Sequence, residues 1–135
     1  LDNLNNEMEI LDCSKNKIKD LINLPKKLKI LIAFHNEIIT IDNLPDSIEN
    51  IDLSLNKIEY IYKLPNNLQT CDLSNNEIKK IYCNINDNIK EFDVSGNTQL
   101  KLDDKLKIDS RIIYGDDEIV LKDDFMYSNY YDIMH

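Results

Sequence analysis

The chain has 135 residues, of which 25 are acidic and 16 basic, giving a formal charge of −9 and a pI near 4.6. That length fits one domain and excludes a large multidomain enzyme, while the negative charge argues against nucleic acid or an anionic membrane as the main partner. Two glycines leave little for a phosphate-cradling loop, and no apolar stretch approaches the roughly 18 residues that would span a bilayer.

Read in chain order, the sequence repeats itself. Leu24-Pro25, Leu44-Pro45 and Leu64-Pro65 recur at a step of twenty, and Asn16, Asn36, Asn56 and Asn76 keep the same step. Asn97 follows one residue late, so a single insertion lies between Ile81 and Phe92. Anchored on these asparagines, the apolar residues fall into columns. Met8, Leu28, Ile48, Leu68 and Ile89 form one, and Leu11, Leu31, Ile51, Cys71 and Phe92 the next. Cys13, Ala33, Leu53, Leu73 and Val94 follow, then Ile18, Ile38, Ile58 and Ile78 beyond the asparagine. The motif L-x-x-L-x-L-x-x-N-x-I-x-x-I thus occurs five times over residues 1–103.

This spacing has a mechanism. The L-x-L core alternates with period two and predicts a short strand with one buried face. The asparagine sits where the chain leaves the strand, and its amide both donates and accepts, which suits it to satisfying backbone groups in a tight turn. Stacked units would align these amides in a ladder. Proline fits the return path, where it need not donate to a sheet. One unit cannot bury its own apolar side, but stacked neighbours can.

The columns resemble the leucine-rich repeat family, most closely its short, twenty-residue, Leu-Pro-containing class. Asp52-Leu53-Ser54-Leu55-Asn56 and Asp72-Leu73-Ser74-Asn75-Asn76 carry the likeness. The resemblance implies a β-rich solenoid of the α/β type. This is a right-handed superhelix with one short parallel strand per turn and irregular or 3₁₀ segments on the convex side. Such repeats occur in bacterial secreted effectors, large DNA viruses and protists. The wealth of Ile, Asn, Lys and Asp, with one Ala and one Arg, resembles the product of an AT-rich genome and points toward a virus or protist. Residues 104–123 read as a degenerate sixth turn, with Ile112 and Tyr114 in the strand columns and Asp117 and Ile119 beyond. Residues 124–135 read as an acidic, tyrosine-rich cap or tail, in which Tyr127, Tyr130 and Tyr131 supply either capping bulk or a short recognition motif.

Candidate site residues come from the outward strand positions. Asp12, Asp52, Asp72 and Asp93 share the column between the two inward residues, where they either receive a basic segment or cation or simply keep the sheet hydrated. Turn two breaks the rule: Ile32 replaces the aspartate, and Phe34 stands where the siblings have Ser14, Ser54, Ser74 and Ser95. With Ile10, Ile30 and Leu55 these residues are expected to form an exposed apolar patch on the concave face, of the kind that marks an interaction site. Asp52, Asp72, Asp93 and Glu91 would steer a basic partner.

Nothing favours catalysis. His35 and His135 have no nucleophile beside them in the repeat, and Cys13, Cys71 and Cys83 lack zinc spacing. Cys13 and Cys71 lie three strands apart, about 14 Å, too far for a disulfide. The expectation is a non-catalytic protein-binding module without cofactor or metal, in the cytoplasm of its own or a host cell, binding a basic protein on its concave face. The alternatives are a substrate-recruiting arm of a ubiquitin-ligase-type effector and a self-assembling structural component.

Overall fold

The structure of the protein is a computed structural model, and it describes residues 1–115. Five three-residue strands recur in phase with the repeat: β1 (Ile10–Asp12), β2 (Ile30–Ile32), β3 (Asn50–Asp52), β5 (Thr70–Asp72) and β7 (Glu91–Asp93). Between them lie two shorter strands, β4 (Tyr60–Ile61) and β6 (Lys80–Ile81). The helix α1 (Asp104–Lys107) and the strand β8 (Ile112–Ile113) close the described chain. The main sheet is parallel throughout, in the order β1-β2-β3-β5-β7-β8. Its register follows the columns: Leu11 opposes Leu31, Leu31 opposes Ile51, Ile51 opposes Cys71, and Cys71 opposes Phe92.

The middle residue of each strand points into one continuous core, as alternation demands. Leu31, Ile51 and Phe92 are wholly shielded from solvent, as are Leu53, Leu73, Ile38, Ile58 and Ile78. Turn one has a stacked neighbour on one side alone, so Met8, Leu11 and Ile18 are half-buried instead. Each turn approaches its strand through a tight reversal. The carbonyls of Pro25, Pro45 and Pro65 accept from the amides of Leu28, Ile48 and Leu68 at 3.1, 3.3 and 3.2 Å. Proline thus fixes the start of a reversal in which its missing N–H costs nothing.

The asparagines do what their spacing predicts. Asn56 Nδ2 donates to the carbonyls of Ala33 and Leu53, both at 3.0 Å, while its Oδ1 accepts from the Ile38 amide at 3.0 Å. Asn36, Asn76 and Asn97 repeat the pattern, so each amide joins its own turn to the one before. The residue before each asparagine is left-handed. Lys15, His35, Leu55 and Asn75 have φ of 57°, 56°, 57° and 55°, and Gly96 has 70°. Glycine is the unstrained choice there. At Gly96 space is also short, because a Cβ would lie 2.3 Å from Asn75 Oδ1.

Two features go beyond the expected one strand per turn. β4 pairs with β6 in a second parallel sheet on the return side, aligning Tyr60 with Lys80 and Ile61 with Ile81. These turns place a β-branched or aromatic side chain at positions that favour extended backbone. The insertion in turn five is also held by a specific clamp. Arg111 donates to the carbonyls of Asn86 (2.6 Å), Ile89 (3.0 Å) and Ile85 (3.1 Å), and Asp109 grips the same guanidinium at 2.7 Å. Those bonds to Arg111 bring the Asp109 carboxyl down to about 2. α1 is a single turn whose N-cap, Asp103, accepts from the Leu106 amide at 2.9 Å. In the last strand Ile112 opposes Phe92 and is buried, whereas Tyr114 is about half exposed. Asp117, Ile119, Tyr127, Tyr130 and Tyr131, with the rest of the expected cap, lie outside the described residues.

Candidate interaction face

The outward columns of the main sheet carry two kinds of chemistry. In turns one, three, four and five the aspartate carboxylate folds back on the serine two residues later. Asp52 Oδ1 accepts from the Ser54 amide at 3.0 Å and from its hydroxyl at 2.7 Å. Asp72 does the same with Ser74 at 2.9 and 2.6 Å, and Asp12–Ser14 and Asp93–Ser95 match within 0.1 Å. This hook fixes the strand exit just before the left-handed residue.

Turn two has lost both members of the hook together. Ile32 and Phe34 stand in their places and pack with Ile10 and Ile30 in a second apolar cluster, separate from the main core. The cluster lies on the opposite side of the sheet, because its residues alternate with Leu11, Leu31 and Ala33. Lys15 Nζ sits 5.9 Å from the centre of the Phe34 ring.

Two expectations of exposure are corrected here. Ile30 and Ile32 are 4% and 3% exposed, not open to solvent. Strands about 4.8 Å apart let branched side chains cover one another, and Phe34 lies alongside. What faces solvent is the half-buried set Ile10, Phe34 and Leu55. Asp52 and Asp72 are likewise buried, at 0% and 5% exposure, with carboxylates engaged by their serines. They do not form an open acidic row. The exposed carboxylates on this face are Asp12 and Glu91, with Asp93 half-buried.

The remaining candidates for chemistry are the cysteines and His35. Cys13, Cys71 and Cys83 form no disulfide among the described residues. Burial, assisted by Asp12, pushes the Cys13 thiol up to about 11, and burial raises Cys83 as well. Both therefore remain protonated and poorly nucleophilic at neutral pH. His35 is exposed in the left-handed turn position. Among the described residues no group of three or more His, Cys, Asp and Glu is placed to hold a metal ion. No helix among them is long and apolar enough to cross a membrane.

A second feature went unmarked by the repeat columns. On the return side Tyr60, Tyr62 and Tyr82 form an aromatic group, with Tyr62 and Tyr82 stacked at 5.1 Å. Tyr62 and Tyr82 stand twenty residues apart in one column, so the signal was present in the spacing.

No family model matches the chain, and no curated protein matches it. Among solved structures it is similar to YopM from Yersinia enterocolitica WA-314, with 34% identity and a TM-score of 0.64 over 68% of this chain. The match spans 20% of that structure, so the chain corresponds to about a fifth of its length. With the parallel ribbon and the asparagine ladder, this likeness gives the chain a leucine-rich-repeat fold, an architecture suited to protein interaction.

Proposed function

We propose that the chain is a non-catalytic protein-interaction module, of the short Leu-Pro-containing repeat class, that binds its partner on the outward, concave face of the main sheet. The observation that carries this reading is the joint replacement of the aspartate–serine hook by Ile32 and Phe34. A fold that satisfies this position with polar groups in turns one, three, four and five gives it apolar bulk in turn two. Ile30 and Ile32 form the floor of the site. Phe34, Ile10 and Leu55 offer the accessible apolar surface, and aromatic anchors ringed by aliphatics are typical interface centres. Glu91 and Asp93, with Asp12, supply the negative charge that would meet a basic flank of the partner. The Leu-Pro reversals and the twenty-residue step support the class assignment.

The test is Phe34→Ser, which installs the residue that four other turns carry at this position and so leaves the fold intact. Affinity capture from a host lysate should retain a specific protein on the parent chain and lose about tenfold or more of it on the variant. Equal capture by both chains would overturn the assignment.

A further inference from the structure

The strand face leaves unused the most exposed aromatic surface among the described residues. Tyr62 and Tyr82 are 56% and 54% exposed on the return side, and the strand-face reading employs neither. Their rings lie nearly parallel, 8° apart, and Tyr60 leans against them with centroids at 6.0 and 6.2 Å. Lys80 Nζ lies 4.9 Å from the Tyr82 ring centre and Lys79 Nζ 5.9 Å from that of Tyr60. The second sheet holds the group in place, because Tyr60 and Lys80 are register partners of β4 and β6.

The charges around the rings differ in their commitments. Lys79 is already paired with Glu59 at 2.8 Å, and that carboxylate raises the lysine above its ordinary value. Lys80, Lys63 and Lys101 form no salt bridge among the described residues. Lys63 follows Tyr62 directly, and the Lys101 amide donates to the Lys79 carbonyl at 3.3 Å, which brings it to the same ribbon. In a chain of net charge −9, this is a local basic and aromatic surface.

We propose that this platform binds an acidic peptide segment of a partner protein, with an apolar or aromatic residue set among its carboxylates. The ammonium groups of Lys80 and Lys63 meet the carboxylates, the apolar side chain packs on the tyrosine edges, and the phenol hydroxyls donate to peptide carbonyls. Charge complementarity selects the acidic peptide. Single-stranded nucleic acid also favours lysines beside aromatics, but it needs open ring faces for its bases. Here Tyr62 and Tyr82 each give a face to the other, and Lys80 lies over Tyr82, so no open ring face is left for a stacking base.

Fluorescence anisotropy on the full chain tests this with three labelled probes. They are a peptide with one phenylalanine flanked by glutamates, its lysine-flanked counterpart, and an oligothymidylate. The glutamate peptide should bind saturably, about tenfold or more weakly to Tyr82→Ala and to Lys80→Gln, and equally well to Phe34→Ser. The other two probes should fail to compete. Lys80→Gln removes an exposed charge, so its effect does not depend on how the fold tolerates Tyr82→Ala. Absence of saturable binding, an affinity that both variants leave unchanged, loss of binding in Phe34→Ser, or preference for the oligothymidylate would each overturn the proposal.

Discussion

The two sides of the solenoid solve the same problem differently. On the strand side most outward positions are engaged: carboxylates accept from serines, isoleucines cover one another, and Thr70 donates to Asn50 at 2.6 Å. On the return side the turns share scattered backbone bonds, but among the described residues regular strand pairing is limited to β4 and β6, and Tyr62 and Tyr82 stand more than half exposed. Three-residue strands about 4.8 Å apart crowd branched side chains until they cover one another, whereas the two-residue pairing of β4 and β6 ends before Tyr62 and Tyr82, whose rings stack yet stay more than half exposed. Exposure is therefore set by local backbone regularity as much as by hydrophobicity. The aromatic surface therefore lies at the end of the short second sheet, where pairing is briefer than on the strand side.

Both sides depend on the asparagine ladder, and its removal should have the largest effect. Asn56→Ala leaves the buried Ile38 amide without its acceptor and withdraws one bond each from Ala33 and Leu53. The expected cost is about 2–4 kcal/mol in chemical denaturation. Asn16 donates to the Cys13 and Ser14 carbonyls of its own turn and is exposed, so Asn16→Ala should cost under about 1 kcal/mol. Equal costs at the two sites would show that stacking, and not the ladder, carries this stability.

A smaller effect probes the strand side itself. Ile32→Asp alone places a carboxylate among Ile10, Ile30 and Phe34 with no serine to receive it, and should cost about 2 kcal/mol. Adding Phe34→Ser rebuilds the hook of the sibling turns and should recover about 1–3 kcal/mol as a coupling term in a double-mutant cycle. Additive costs would mean that the two positions do not act as one unit.

The inward columns were legible because burial in stacked turns requires an apolar residue at fixed steps, and Leu53 and Leu73 obey that at every turn. The asparagines were legible for the same reason, since few side chains both donate and accept at such short reach. Outward positions were not. Asp52 and Ile32 occupy one column and both are buried, the first by hydrogen bonding and the second by packing, so residue type did not reveal exposure. The aspartate–serine hook could have been read from its two-residue spacing, as a side chain capping its own turn. Arg111 could not, because it reaches carbonyls more than twenty residues back in the chain. Of the candidate site, the departure of turn two was visible in the sequence, and the twenty-residue step from Tyr62 to Tyr82 also marked the tyrosines, but their stacking depends on which turns pair on the return side.

Amide hydrogen exchange tests the central claim, that one asparagine per turn joins that turn to the one before. The amides of Ile38, Ile58 and Ile78 donate to Asn56, Asn76 and Asn97 at 3.0, 3.1 and 2.9 Å, and they should be among the slowest to exchange. In Asn56→Ala the Ile38 amide should lose protection well ahead of Ile78, which keeps its own partner. Fast exchange of all three in the parent chain, or unchanged protection of Ile38 in the variant, would contradict the account.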